Sequence, residues 1–108
     1  VDAAMMLRSF NHLRDPKRAI AEAARVVKPG GRLIAVDNVV FGLCRSAQQI
    51  ERAHAISTAQ TPFEHYRNAN GDEAAALIGA DERWRIERCE PVRAGTANQW
   101  LVTALRLP

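Results

Sequence analysis

The sequence predicts an α/β fold in which two parallel strands joined by a crossover helix are completed by a terminal antiparallel hairpin. Three observations carry that expectation. The apolar stretch "AAMML", a helical pattern over "DPKRAIAEAARVV" and the apolar run "LIAV" follow one another with short joints. That is the order of a βαβ unit, whose strands run parallel and whose crossover is right-handed. The helix gives way to the second strand at "KPGG", a sharply punctuated joint. Further on, "RWRIERCEPV" and "NQWLVTALRL" are separated only by "RAGTA", a linker short enough to make them antiparallel neighbours.

Each element has a local cause. Ala3 to Leu7 is apolar without a break, the pattern of a strand buried on both faces, with Asp2 at its solvent-facing entry. Asp15 is a good N-cap and Pro16 suits the first helical position, where no backbone donor is needed. The helix should run from Pro16 to about Val27. Ile20, Ala23, Ala24 and Val27 recur on one face, and Lys17, Arg18 and Glu22 take the others. Lys28 suits the negative end of the helix dipole, Pro29 forbids continuation, and Gly30 and Gly31 permit positive φ. A strand is then expected from Arg32 to about Asp37.

Beyond Gly42, Ser46 is a cap for a helix over "SAQQIERAHAISTA", with Ala47, Ile50 and Ala53 as its inner face. "QTPFEHYRNANG" breaks the pattern and reads as a loop of about ten residues, either a lid or recognition segment or a surface excursion without a role. Asn70 with Glu73 forms a capping box for a short helix over "GDEAAALIGA" ending near Gly79. In the hairpin, Trp84 and Ile86 alternate with Arg85 and Glu87, so Trp84 and Trp100 are expected as core or cross-strand residues rather than a stacking platform.

A chain of 108 residues with 47% hydrophobic content is one small domain with enough apolar material for one core. It has no apolar run near the ~18 residues of a membrane span and no signal-peptide pattern, so a cytoplasmic location with no membrane partner is expected. The apolar run begins directly after Val1 and Asp2, which suggests a piece of a longer protein. Cys44 and Cys89 lack CxxC spacing and are expected to be separate, reduced thiols, neither marked as a nucleophile. The net charge is +3, but fifteen Lys and Arg are scattered among twelve acids, which argues against nucleic acid as a partner. His12, His54 and His65 have no metal-ligand spacing, so no metal site is expected.

The stretch "VDAAMMLRSFNHLRDPKRAIAEAARVVKPGGRLIAVDN" resembles the core of the class I S-adenosylmethionine-dependent methyltransferases, in the type 11 group that includes quinone-biosynthesis C-methyltransferases. That family shows an Asp opening its fourth strand, a segment like L-H-H-L-x-D after it, and R-V-L-K-P-G-G-R-L before its fifth. Here Asp2, His12, Leu13, Asp15, Arg25, Val26, Lys28, Pro29, Gly30, Gly31, Arg32 and Leu33 fall in register. The resemblance is close over residues 1 to about 38; the rest agrees in element order and in the final hairpin.

The resemblance implies a doubly wound, Rossmann-like sheet of seven strands in the order 3-2-1-4-5-7-6, with strand 7 antiparallel between 5 and 6. Residues 1–108 would be the carboxyl-terminal part of a methyltransferase domain, with strands 4, 5, 7 and 6 but not 1 to 3. The implied cofactor is S-adenosyl-L-methionine. In the family it is gripped by a glycine-rich turn after strand 1, an acid at the end of strand 2 and a polar side chain near strand 3. Here the adjacent glycines, Gly30 and Gly31, follow a helix and precede a strand, the wrong order for that turn. The chain by itself is therefore expected neither to bind the cofactor tightly nor to be active.

Ligands of open α/β sheets gather at the carboxyl ends of the strands. That makes Leu7, Arg8, Ser9 and His12 the implied cofactor-binding positions. Relatives often carry a small polar residue where Leu7 stands, so backbone groups would serve there. Arg8 is either a contact to the cofactor carboxylate or an acidic substrate, or a surface salt-bridge partner. His12 is either a histidine packed beside the cleft or a cofactor-adjacent or general-base one. Asp37 and Asn38 at the second strand end, with Tyr66 and Arg67 in the long loop, are the substrate-binding candidates, Asp37 alternatively capping a turn. No catalytic residue is assigned, because methyl transfer needs positioning more than acid/base groups.

"RSFN" stands where amino methyltransferases carry [DNS]-P-P-[YF], which favours a small-molecule acceptor. A nicotinamide-dependent oxidoreductase is disfavoured by the hairpin, the "KPGG" joint and the lack of a Tyr-x-x-x-Lys pair. A non-catalytic binding or assembly module is the other alternative. It would pair through an exposed first-strand edge, either with the missing amino-terminal half or with itself.

Overall fold

The computed structural model describes residues 1–40, 46–60, 66–93 and 98–108. The elements are β1 (Ala3–Leu7), a single 3₁₀ turn (Phe10–His12), α1 (Pro16–Val26), β2 (Arg32–Asn38), α2 (Ala47–Gln60), α3 (Gly71–Gly79), β3 (Trp84–Pro91) and β4 (Gln99–Arg106). All three expected caps form. Asp15 accepts from Arg18 N at 3.1 Å and Asn70 from Glu73 N at 2.9 Å. Ser46 Oγ accepts from Gln49 N while Ser46 N donates back to Gln49 Oε1, both at 3.2 Å, so its cap is a reciprocal box. The loop reading of "QTPFEHYRNANG" falls partly on residues 61–65, and that of "RAGTA" on 94–97, outside the described residues.

At the "KPGG" joint the two glycines do different work. Gly30 has φ +86°, the left-handed conformation that lets the chain turn out of α1. A Cβ on Gly31 would lie 2.4 Å from Asp2 O and 2.6 Å from Val27 Cγ1, so Gly31 is needed for close approach. The joint ties the start of β1 to the end of β4: Lys28 N donates to Val1 O, Gly30 N to Arg106 O, and Arg106 N to Gly31 O, at 2.8 to 2.9 Å.

The strands form one sheet in the order β1-β2-β4-β3. β1 and β2 are parallel, and β4 lies antiparallel between β2 and β3. The chain thus has the α/β architecture and the inserted last strand expected from its sequence. A register shift between Ile86 and Arg88 marks an irregularity in β3 that the alternation does not announce. Pairing fixes the faces. On one face Leu33, Ala35, Val102, Ala104, Trp84 and Trp100 join Ile20, Ala23, Ala24 and Val27 of the α1 segment and Ala74 and Ile78 of α3 in the core. Both tryptophans are core residues, and Trp84 Nε1 donates to Ile20 O at 3.3 Å.

The opposite face is different. Ala4 and Met6 pack against the core, but Met5 and Leu7 are 60% and 56% exposed. The expectation that β1 is buried on both faces is therefore corrected. β1 is an edge strand, and its Ala3, Met5 and Leu7 row has no covering layer among the described residues.

Candidate functional site at the carboxyl edge of the sheet

β1 and β2 end at the same edge, and one buried asparagine organises it. Arg8 leaves β1 with φ +56°, its N donating to Val36 O at 2.6 Å, and the chain enters the 3₁₀ turn. Phe10, fully buried, anchors that turn by an edge-on contact with Trp100, ring centres 5.6 Å apart. Asn11 is also fully buried, and every one of its polar groups is used. Its N donates to Asp37 Oδ2 at 2.8 Å and its Nδ2 to Asn38 O at 2.7 Å and Ala69 O at 3.3 Å. Its Oδ1 accepts from Ala69 N at 3.2 Å, and its O accepts from Tyr66 N at 3.0 Å and Arg67 N at 3.3 Å.

This knot gathers the candidates of the two groups. Leu7, Arg8, Ser9 and His12 flank the turn, and Asp37, Asn38, Tyr66 and Arg67 are all bonded to Asn11 or stand beside residues that are. His12 N donates to Ser9 O at 2.9 Å, closing the turn. Asp37 is buried, and its second oxygen accepts from Asn38 N at 2.7 Å. Its carboxylate therefore holds two backbone amides and fixes the turn against β2. Asn38 is 6% exposed and its Oδ1 is a buried acceptor with no partner among the described residues. Tyr66 is 47% exposed. Arg67 is half-buried, its Nη1 donates to Phe10 O at 2.9 Å, and burial pushes its pKa down.

Two residues escaped the sequence reading. Asn11 reads only as the neighbour of His12; nothing local says that it is the hub. Asn98, fully buried, accepts from Val40 N and donates to Val40 O, both at 2.9 Å, extending the β2–β4 contact past the strands. Both bonds span 58 residues, a separation that local pattern does not reach.

A second concavity of about 240 Å³ lies between α3 and the β3–β4 ends, lined by Gly71, Asp72, Cys89, Glu90 and Trp100 among others. Cys89 is a free thiol. Burial first, then its contact to Asp72 Oδ1 at 3.6 Å, push its pKa up, which keeps it protonated and unsuited to nucleophilic attack. Cys44 and His65 lie outside the described residues, as does the side chain of His54. Among the described residues no helix is long and apolar enough to cross a membrane.

Residues 1–35 match a family model described as "Methyltransferase domain". No curated protein sequence matches the chain at a significant level. Solved structures match nearly all of it. TnmH is 20% identical with a TM-score of 0.67, over 98% of this chain and 30% of that one. An O-methyltransferase family 2 protein from Planctomyces limnophilus, solved with apigenin, is 19% identical with a TM-score of 0.67, over 98% and 31%. A SAM-dependent methyltransferase from Aquifex aeolicus is 21% identical with a TM-score of 0.62, over 99% and 46%. The chain spans less than half the length of each of these structures. In sequence over residues 1–35, and in fold over almost its whole length, the chain is similar to S-adenosylmethionine-dependent methyltransferases.

Proposed function

We propose that the chain is the carboxyl-terminal part of an S-adenosylmethionine-dependent methyltransferase domain, acting on a small-molecule acceptor once strands 1 to 3 are supplied. The observation that carries this reading is the coincidence of the sequence match over residues 1–35 with the sheet order β1-β2-β4-β3. The carboxyl edge suits the cofactor chemically. Leu7, apolar and 56% exposed, followed in the chain by Arg8, would suit a ligand that is apolar in one part and carries a carboxylate in another.

On this reading Leu7, Arg8, Ser9 and His12 border the cofactor, and Asn38, Tyr66 and Arg67 face the acceptor. The bound cofactor supplies an electrophilic methyl group on its sulfonium. This chain orients. The Asn11 knot holds the 3₁₀ turn, the β2 end and the Tyr66–Arg67 segment in one fixed relation, the kind of preorganisation on which an in-line transfer depends. The orphan Asn38 Oδ1 is an acceptor for an O–H or N–H of the substrate. Asp37 contributes by fixing the turn rather than as a base.

The test is a calorimetric titration of S-adenosylhomocysteine into this chain and into a version extended upstream of Val1 by about 100 residues, the size of a further half-domain. Binding to the longer protein alone is the expected outcome. Binding to neither overturns the methyltransferase reading. The bare Met5 and Leu7 row favours a second reading, an assembly module pairing through β1. Tight association of the chain with a partner, without nucleoside binding in either version, would support it.

A further inference from the structure

One edge of the sheet is open among the described residues: β1 pairs with β2 alone, and β4 and β3 lie beyond β2. Asp2 O accepts from Arg32 N and Arg8 N donates to Val36 O, so the even-numbered residues of this segment turn their backbone groups toward β2. Strand alternation then turns the N–H and C=O of Ala3, Met5 and Leu7 toward the open edge, where they are a template for another strand.

The segment itself states what completes that template. β1 spans Ala3–Leu7, so Met5 is its midpoint. An antiparallel second copy centred there sets Met5 opposite Met5, Ala3 opposite Leu7 and Ala4 opposite Met6. The residues with outward backbone groups then face one another, and each such pair exchanges both its hydrogen bonds. Sliding one copy by a single residue would set outward groups against inward ones, and sliding it by two would leave fewer pairs. Along the seam the exposed Met5 and Leu7 side chains of the two copies become neighbours.

The flanking charges agree with the same register. Asp2 and Arg8 stand three residues to either side of Met5, so each Asp2 falls opposite the Arg8 of the second copy. Opposite charges at facing positions stabilise a strand pair, and like charges destabilise it. Both side chains are exposed, that of Asp2 to 92% even with Lys28 Nζ 3.4 Å away. An in-register parallel copy would instead set Asp2 beside Asp2 and Arg8 beside Arg8. The left-handed backbone of Arg8, φ +56°, turns the chain out of the strand and ends the ladder at these charges.

We propose that β1 is a self-pairing edge. Two copies of this chain join through it, antiparallel about a two-fold axis at Met5, and merge their four-stranded sheets into one that Asp2 and Arg8 clamp at each end of the seam. This rests on the assembly reading and names its partner. On the methyltransferase reading the same edge belongs to the upstream half, and the two occupants exclude one another.

The test is sedimentation velocity of the 108-residue chain and of two variants, Asp2→Lys and Arg8→Glu, alone and mixed, from micromolar to millimolar concentration. The parent is expected to dimerise. Each variant alone sets like charges opposite one another at both ends of the seam and should dimerise about tenfold more weakly. Their equimolar mixture opposes an introduced cation to an introduced anion at one end and keeps the native pair at the other, so it should recover to within about threefold of the parent affinity. Misfolded variants would not recover on mixing, which separates a lost contact from a lost fold.

A chain that stays monomeric at every concentration overturns the dimer, whereas the assembly reading falls only if no other chain binds this edge either. Variants that dimerise as well as the parent, or that stay weak when mixed, overturn the pairing about Met5.

Discussion

The two faces of the sheet are made from the same strands, yet they differ in fate. Leu33 and Leu7 lie on opposite faces of neighbouring strands; Leu33 is wholly buried and Leu7 is 56% exposed. Met6 packs against the core while Met5, beside it in sequence, is 60% exposed. A strand's alternation assigns each side chain to a face, but what covers that face depends on other elements. α1 and α3 cover one face; the β1 end of the other is bare among the described residues.

Substitutions sharpen this contrast, and the largest effect is expected on the covered face. Leu33→Ala removes a fully buried side chain between α1 and the sheet and should cost about 3 kcal/mol in chemical unfolding. A cost below about 1 kcal/mol would show that the two faces are equally loose.

Next is the joint beneath that face. Gly31→Ala drives a Cβ into the Asp2 carbonyl at 2.4 Å, and backbone cannot step aside as a side-chain tip can, so about 2 kcal/mol should be lost. Gly30→Ala meets no atom within 4 Å and carries only the strain of φ +86°, about 1 kcal/mol. A reversed order in thermal melts would mean that φ strain outweighs the clash.

A smaller effect belongs to Asp81, whose carboxylate accepts from Arg83 N, Nε and Nη2 at 2.7 to 3.0 Å. Its pKa lies below the usual carboxylate value, chiefly because of that Arg83 hydrogen bond. The folded state thus binds this proton more weakly than the unfolded chain. The resulting stabilisation is fully present above the ordinary carboxylate pKa and is lost as pH falls through it toward the folded value. Asp81→Asn should cost about 0.5 kcal/mol at neutral pH, a partly exposed pair being screened, and nothing in strong acid. A constant difference across the acid range would exclude that linkage.

The smallest stability change is expected on the bare face. Met5→Lys should leave the unfolding midpoint within about 0.5 kcal/mol of the parent. It should reduce self-association in sedimentation velocity, because a charge on an open edge discourages strand pairing. A large loss of stability would mean that the row is covered after all.

Most of the fold was legible because its signals are local. Asp15, Ser46 and Asn70 cap the helices they precede, and Pro29 with Gly30 ends α1, through contacts within a few residues. The strand order was legible too, through resemblance rather than local pattern. The exposure of β1 was misread, because a continuous apolar run states what a strand can bury and not what arrives to cover it. The candidate edge was legible as a set of positions. How it is built was not. Asn11 reaches Asp37, Asn38 and Ala69 across 26 to 58 residues, and Phe10 meets Trp100 from the far strand. Such contacts leave no periodicity in a single sequence.

The position of β4 has a consequence for how the molecule is made. β4 sits between β2 and β3, so Arg32 to Asn38 must wait for Gln99 to Leu105 before their second edge is paired. Arg106, whose Nε donates to Ala24 O at 2.8 Å and whose backbone bonds the glycines after α1, is the closing fastener. During synthesis β2 therefore emerges half-paired, and its second edge closes only when Gln99 to Arg106 are made and reach back to β2 and the first helix. A nascent chain halted between Pro91 and Gln99 has β2 and β3 without the neighbour they share, a ready target for chaperones or proteases.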